Sequence, residues 1–153
     1  MLPYIKLFSD GSCLKNPGPG GYSSIIKYNQ YELIISSGFY CTTNNRMELM
    51  GVIKALEKLK KPCIIEIFTD SQYVKNGIVL WIKKWKLNNW KTTHNKKVKN
   101  IDLWLRLSNI SYLHQITWKW IKGHSGHIEN EKCNTLAQNS AKHPTSEDIG
   151  YIS

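Results

Sequence analysis

Two aspartates sixty positions apart occupy the same sequence context. Asp10 follows the apolar segment 4–8 and Asp70 follows the similar segment 64–68. Each segment has the length and the β-branched or aromatic content of a buried strand. If the two strands lie side by side, the carboxylates meet at the strand ends, where like charges repel unless they share a proton or a cation. We therefore predict that Asp10 and Asp70 bind a divalent metal ion together.

A third carboxylate, Glu48, lies in a predicted helix that starts after Thr43. The segment Thr43-Asn44-Asn45 supplies side chains that can cap a helix start. Apolar residues then recur at helical spacing, and Glu48 falls at the edge of their stripe in the first turn, facing the sheet. An acid that only complements the helix dipole is the alternative. Beside Asp10 and Asp70, the interpretation as a third metal ligand is favoured.

Length and composition indicate one globular domain that spans residues 1–153. The chain has 153 residues, of which 41% are hydrophobic and 21% charged. A chain of this size and composition can bury a hydrophobic core without disulfide or metal cross-links. It has neither a signal-peptide pattern nor a run of ~18 apolar residues, so we expect a soluble protein without membrane contact. No C-x-x-C pair occurs, which argues against a disulfide framework and favours the reducing cytoplasm. The scattered cysteines are Cys13, Cys41, Cys63 and Cys133.

The positive charge is concentrated in one part of the chain. Of a net charge of +10, eight lysines lie between Ser71 and Ile101, a segment without any acid. Tryptophans alternate with these lysines, and rings beside ammonium groups suit bases, sugars and phosphates. We call residues 81–100 the basic handle and predict that it binds nucleic acid, with Trp81 on the ligand and about half of the tryptophans in the core.

The periodicity predicts the element order βββαβααβα. An opening meander followed by strands that return after helices indicates an α/β fold with a mixed sheet and helices packed on it. Ser71 is predicted to cap a second helix that bends near Gly77, and Asn100 to cap a third, with Asp102 as a dipole complement. A glycine-flanked loop at 123–127 precedes the last helix.

Four segments in this order resemble the motifs of the bacterial type I ribonuclease H family, and the resemblance spans nearly the whole chain. It implies a mixed five-stranded sheet flanked by helices and a monomeric endonuclease. Such an enzyme cuts the RNA strand of RNA–DNA hybrids and leaves 5′-phosphate and 3′-hydroxyl ends. The segments are Asp10-Gly11-Ser12-Cys13, Thr43-Asn44-Asn45-Arg46-Met47-Glu48, Thr69-Asp70-Ser71-Gln72-Tyr73-Val74 and Gly123-His124-Ser125-Gly126-His127.

The resemblance also implies a cofactor and a role for each matching residue. Two Mg²⁺ ions are expected with substrate, with Mn²⁺ as a substitute; such ions stabilise the attacking water and the leaving oxygen. Asp10, Glu48 and Asp70 match metal ligands, Asn134 stands at a fourth ligand position, and His124 matches a histidine that assists proton transfer or product release. The residues that match RNA-strand contacts are Cys13, Asn16, Asn44, Asn45 and Gln72. Those that match DNA-strand contacts are Thr43 and Trp81. The basic handle adds the expected substrate contacts Trp85, Lys86, Trp90, Lys96, Lys97 and Lys99.

The sequence departs from the family pattern at two positions. The family usually has a fourth carboxylate where this chain has Asn134, and several members have arginine where it has Cys41. An amide brings no negative charge, so the second metal ion is expected to bind less tightly and cleavage to be slower. The cysteine is expected to weaken one contact to a DNA phosphate.

Three alternatives are open at this point. The same fold could carry a related integrase-like or resolvase-like nuclease, because a fold alone does not fix function. The chain could instead be a hybrid-binding protein that has lost cleavage through Asn134. A zinc site of His124, His127 and Cys133 has suitable ligand types but no convincing fourth member.

Overall fold

The predicted mixed five-stranded sheet is confirmed by the computed structural model, which describes residues 1–122 and 127–152. The strand order is β3-β2-β1-β4-β5. β1 pairs antiparallel with β2 and β2 with β3, whereas β1 with β4 and β4 with β5 are parallel. The strands are β1 Tyr4–Cys13, β2 Gly18–Tyr28, β3 Tyr31–Thr42, β4 Ile64–Thr69 and β5 Gln115–Trp120.

The helices follow the predicted order along the chain. In the ranges 1–122 and 127–152, no helix is long and apolar enough to cross a membrane. The second predicted helix consists of two α-helical segments joined by a π-helical turn, Gly77–Trp81. The α-helices are α1 Asn44–Lys58, α2 Gln72–Asn76, α3 Ile82–Leu87, α4 Ile101–Ser111 and α5 Ile128–Lys142.

Both faces of the central strand β1 are buried, which explains its nearly continuous apolar sequence. Leu7, on one face, belongs to the main core with residues of α1 and α4. Phe8 points to the opposite face, where it clusters with Ile25 and with Cys133 of α5. Phe8 also stacks on Phe68 of β4, with ring centroids 4.7 Å apart. The centre of the sheet is therefore covered on both sides, and a site is expected at a sheet edge or at the strand ends.

Two of the three predicted helix caps form as expected. The Thr43 hydroxyl accepts a hydrogen bond from Arg46 N at 3.3 Å, and the Ser71 hydroxyl accepts one from Val74 N at 3.2 Å. The prediction for Asn100 was wrong: this residue precedes α4, but it has a left-handed φ of 59° and its side chain makes no capping bond. The side chain is engaged elsewhere, as described below.

The bend predicted at Gly77 is the start of the π-helical turn, and its cause is a close packing contact. A Cβ atom at Gly77 would overlap the indole ring of Trp104, whose Cζ2 atom would lie 2.5 Å away. Trp104 is fully buried beneath this turn. Glycine at this position therefore lets the chain pass directly over the ring.

We predict that Gly77→Ala destabilises the fold by overpacking, by about 1–3 kcal/mol. Urea unfolding followed by circular dichroism measures the effect. Gly51→Ala is the control for a milder contact, because a Cβ there would lie 3.3 Å from Asp10 O, a tight approach without the overlap found at Gly77. Equal stability changes in the two variants would contradict the packing explanation.

Candidate active site

Parallel pairing of β1 and β4 brings the two predicted aspartates together. Phe8 and Phe68 are register partners, so Asp10 and Asp70 each follow two residues later at the same end of the sheet. Gly11 permits the third group to approach, because a Cβ there would lie 2.8 Å from Met47 O in α1. Carboxylate oxygens of Asp10, Glu48 and Asp70 lie within 4.8 Å of one another.

Glu48 reaches the two aspartates from α1 and is partly buried. It is the fifth residue of α1, so it lies in the second turn and not in the predicted first turn, which weakens the dipole alternative. Its Oε2 atom is buried without a hydrogen-bond partner among the described residues. Burial raises the pKa of Glu48 well above its usual range, and the charges of Asp10 and Asp70 raise it further. The Gly11 N–H offsets this pKa rise only in part.

This donor set fits a hard divalent cation. Three carboxylates offer the oxygen ligands that Mg²⁺ prefers, and a cation would relieve the repulsion between them. A cation would also give Glu48 Oε2 the partner that it lacks among the described residues. The acids of a solvated surface patch are exposed, whereas Asp10 is only 6% exposed.

Asn134 lies beside the carboxylates, as its predicted role requires. Its Nδ2 atom donates a hydrogen bond to Asp10 Oδ2 at 2.8 Å, while Gly11 N donates to Asp10 Oδ1 at 2.9 Å. The amide therefore acts as a donor that orients Asp10.

The zinc alternative has no support among the described residues. Cys133 is fully buried, and its thiol donates to Phe8 O at 3.6 Å. Burial raises the pKa of Cys133 to about 12, with a further contribution from Asp10, and this opposes the thiolate that zinc requires. His124 lies outside the described residues.

Predicted RNA-strand residues cluster where β1 ends and α1 begins. Asn16 Oδ1 accepts a hydrogen bond from the backbone N–H of Asn44 at 3.2 Å, so the Asn16 side chain is held against the start of α1. The Cys13 thiol donates to Lys15 O at 3.0 Å and contacts Thr42 O at 3.6 Å. Asn45 directly follows Asn44 and is exposed. Gln72, at the start of α2, is also exposed.

Comparison with known proteins identifies the family. The RNase H family model matches residues 3–142. A ribonuclease H of Buchnera aphidicola subsp. Baizongia pistaciae is 65% identical over 99% of both chains. One from Erwinia tasmaniensis is 57% identical over 100% of this chain and 99% of its own. The chain belongs to the bacterial type I ribonuclease H family.

Among solved structures, LC9-RNase H1, a type 1 RNase H with the type 2 active-site motif, is 30% identical with a TM-score of 0.85. The alignment covers 95% of this chain and 75% of that one. Together with the acidic cluster, family membership makes the chain an endoribonuclease that hydrolyses the RNA strand of RNA–DNA hybrids with a divalent metal.

Aromatic contacts attach the basic handle of this ribonuclease H to the core. Trp81 and Trp85 lie with ring centroids 5.7 Å apart, and Trp85 contacts both Trp90 at 6.2 Å and Trp104 at 5.5 Å. Trp104 is fully buried, whereas the other three are only partly covered. Trp81 also contacts Tyr73 edge-on, and Tyr73 directly follows Gln72 in the sequence. A partly exposed aromatic surface thus continues from the predicted RNA side.

The handle lysines occupy two different environments. Lys86 Nζ donates to Tyr112 OH at 2.8 Å and lies 4.9 Å from the ring centroid, so this lysine is partly engaged within the fold. Lys97 and Lys99 instead line a cavity of about 550 Å³ between the handle and the start of α1. The same cavity is lined by Asn16, Thr43 and Asn45.

A buried charge network surrounds Arg46, and no sequence pattern predicted it. Its guanidinium donates to both oxygens of Asp102, at 2.8 and 2.7 Å, and to Asp148 at 2.7 and 3.0 Å. The interpretation of Asp102 as a dipole complement was therefore incomplete. Asn100 Oδ1 accepts a weaker bond at 3.4 Å, and Thr42 Oγ1 donates to Asp148 at 2.6 Å. No local sequence pattern marks this contact, because Asp148 is 102 residues from Arg46.

This network ties the C-terminal segment to the substrate-facing end of α1. Arg46 is 2% exposed and follows Asn44 and Asn45 directly. Asn100 Nδ2 donates to Tyr73 OH at 3.0 Å, and Tyr73 contacts Trp81 of the handle edge-on, so the network reaches the handle. We conclude that Arg46 positions the first turn of α1 relative to the handle.

We predict that the stability cost of Asp102→Asn depends on pH. Burial alone would raise the pKa of Asp102, but the hydrogen bonds and charge of Arg46 lower it below its ordinary value of 3.8. Such a group stabilises the fold above its unfolded pKa, and the contribution is lost as pH falls through the folded pKa. We expect a loss of about 1 kcal/mol at pH 7, at the low end for a charged hydrogen bond because the carboxylate is 40% exposed.

Urea unfolding at pH 7, 5 and 3 tests this expectation, and the difference from the parent should shrink below about pH 4. The control is Glu147→Gln, which removes an exposed carboxylate next to Asp148 in the C-terminal segment, one that has no ion pair within the described residues. A pH-independent difference for Asp102→Asn would contradict an ionic contribution.

Proposed function

We propose that the chain cleaves RNA–DNA hybrids with two Mg²⁺ ions held by Asp10, Glu48 and Asp70, leaving 5′-phosphate and 3′-hydroxyl ends. The observation that carries this proposal is the approach of three carboxylates to within 4.8 Å at the end of paired parallel strands. The buried, unpartnered Oε2 of Glu48 adds to it. Two-metal sites are well suited to in-line displacement at a phosphate.

The bound ions would activate the attacking water and stabilise the charge on the leaving oxygen, so no protein nucleophile is needed. The chain's own residues fix the geometry. Gly11 N and Asn134 Nδ2 donate hydrogen bonds to the two oxygens of Asp10 and so orient this carboxylate. The Oε2 atom of Glu48 is buried beside it. His124 is proposed to move a proton or assist product release, since an imidazole titrates near neutral pH.

Hybrid selectivity would come from two groups of contacts. Asn16, Asn44, Asn45 and Gln72, together with Cys13, are proposed to contact the RNA strand, where amides can bind 2′-hydroxyls without strong sequence dependence. The proposed DNA-strand contacts are Thr43 and Trp81. Phosphates would meet the handle, with Trp85, Lys86, Trp90, Lys96, Lys97 and Lys99 as its contact residues.

We also propose that the enzyme is a monomer with a single domain and that it is cytoplasmic. The four cysteines are free thiols, which supports the cytoplasmic location.

A second candidate function is hybrid binding with slow or absent cleavage. The observation that favours it is Asn134, because an amide beside Asp10 supplies no charge for a metal ion. The three carboxylates whose oxygens lie within 4.8 Å of one another support the active enzyme instead.

We predict that Asp70→Asn lowers Mg²⁺-dependent cleavage by at least ~10²-fold, the usual cost of removing one preorganised charged group from an active site. Hybrid binding and unfolding should change little, because the amide has nearly the same shape. A labelled RNA–DNA hybrid, with RNA duplex and DNA duplex as comparison substrates, measures cleavage with and without Mg²⁺.

Glu66→Gln is the matched control, since it removes a carboxylate from the same strand that pairs with Lys119 outside the acidic cluster. It should retain cleavage. If the parent protein binds hybrid but does not cleave it, the second candidate function is correct.

We predict that Asn134→Asp raises the cleavage rate and lowers the Mg²⁺ optimum, by up to ~10-fold, the scale on which neighbouring groups tune metal affinity. The added acid would also lower the melting temperature without metal, because it replaces a hydrogen bond to Asp10 with like-charge repulsion. Asn134→Ala removes the hydrogen bond without adding charge and serves as the control. Identical Mg²⁺ titrations for all three proteins would remove position 134 from the catalytic set.

A further inference from the structure

The C-terminal segment that follows α5 runs beside the edge strand β3 toward the start of α1. Thr145 N and Ser146 N both donate to Gly38 O at 3.1 Å, and Tyr40 N donates to Ser146 O at 3.0 Å. Phe39 and Ser146 form a parallel bridge. These backbone bonds attach the segment to the sheet and set the path of the residues that follow.

From Asp148 onward, the segment lies directly against the buried Arg46. The Asp148 carboxylate accepts hydrogen bonds from the Arg46 guanidinium at 2.7 and 3.0 Å. Gly150 allows a close approach, because a Cβ atom there would overlap Asp102 Oδ2 and lie 2.8 Å from Arg46 Nη2. Tyr151 N then donates to Asp148 O at 3.1 Å. The network that holds the start of α1 therefore also fixes the position of Tyr151.

Tyr151 lies in the wall of the 550 Å³ cavity between the basic handle and the start of α1. The residue is half-buried, so part of its side chain remains accessible to a molecule in the cavity. Thr43, the proposed DNA-strand contact, lines the same cavity. A strand bound at Thr43 would therefore pass the Tyr151 ring.

The cavity lining matches the chemistry of a deoxyribose-phosphate backbone. Lys97 and Lys99 form no ion pair among the residues that the structure describes, so they are available to phosphates. Asp102, which also lines the cavity, is already bound by a guanidinium. Carbon surface comes from Ile101 and from the Tyr151 ring. Such a wall accepts the CH₂ group at C2′ of deoxyribose, whereas a 2′-hydroxyl there would give up hydrogen bonds to water without gaining a partner.

We propose that Tyr151 is a further substrate contact, whose ring packs against a deoxyribose of the DNA strand and so favours RNA–DNA hybrid over RNA duplex. This inference rests on the proposed placement of the DNA strand at Thr43. Amides on the RNA side bind 2′-hydroxyls, and Tyr151 disfavours a 2′-hydroxyl on the other strand. Selectivity thereby combines an attractive element with a repulsive one, as specific recognition often requires.

Steady-state cleavage of a labelled RNA–DNA hybrid by the full chain tests this role. Tyr151→Ala should raise KM about 3–10-fold and change kcat by less than about twofold, because the lost contact is the same in the ground and transition states. Tyr151→Phe keeps the ring and should match the parent. Ile149→Ala is the matched control, since this residue of the same segment is 95% exposed and lies outside the cavity lining.

Competition binding in EDTA measures selectivity without cleavage. The competitors are plain hybrid, RNA duplex and hybrids that carry one ribonucleotide at successive positions of the DNA strand. At the position that packs against Tyr151, the parent should bind the substituted hybrid about 3–10-fold more weakly than plain hybrid, and Tyr151→Ala should bind both equally. Urea unfolding of each variant should show unchanged stability, because Asp148 and Gly150 still hold the segment.

Four outcomes would overturn this inference. They are an unchanged KM for Tyr151→Ala, an equal loss of affinity for hybrid and RNA duplex, a loss of stability that accounts for the raised KM, and a ribonucleotide penalty in Tyr151→Ala equal to that of the parent. A parent without preference for hybrid would contradict the proposed strand contacts as well. A parent with this preference, retained in full by Tyr151→Ala, would contradict the role of Tyr151 alone.

Discussion

The parallel pairing of β1 and β4 is the constraint on which the rest of this structure depends. It places Asp10 and Asp70 at one sheet end, and the close approach allowed by Gly11 adds Glu48. The protein thereby concentrates like charges where burial makes them costly. This arrangement is unfavourable for the fold alone and favourable for a metal ion, which is why the cluster marks the active site.

The surrounding structure holds that cluster and its substrate surface rigidly. Asn134 and the Gly11 amide fix Asp10, while Arg46 connects the first turn of α1 to the start of α4 and the C-terminal segment. A buried guanidinium is tolerated because two carboxylates satisfy its donors. The predicted substrate residues at the start of α1 consequently lie on an element that this network holds in place.

Positive charge is concentrated in the basic handle. Trp85 and the buried Trp104 attach the handle to the core. Its lysines give this surface a positive potential, which attracts a polyanion.

The sequence by itself determined the element order, the mixed sheet and the three carboxylates, because strand and helix periodicity and the Asp10 and Asp70 contexts are local signals. Only the tertiary structure decided that Asn134 donates to Asp10, that Asp102 pairs with Arg46, and that Asn100 does not cap α4. These contacts join residues 56 and 124 positions apart or depend on a left-handed backbone. Long-range pairing leaves no periodic trace in a sequence, so packing alone could reveal it.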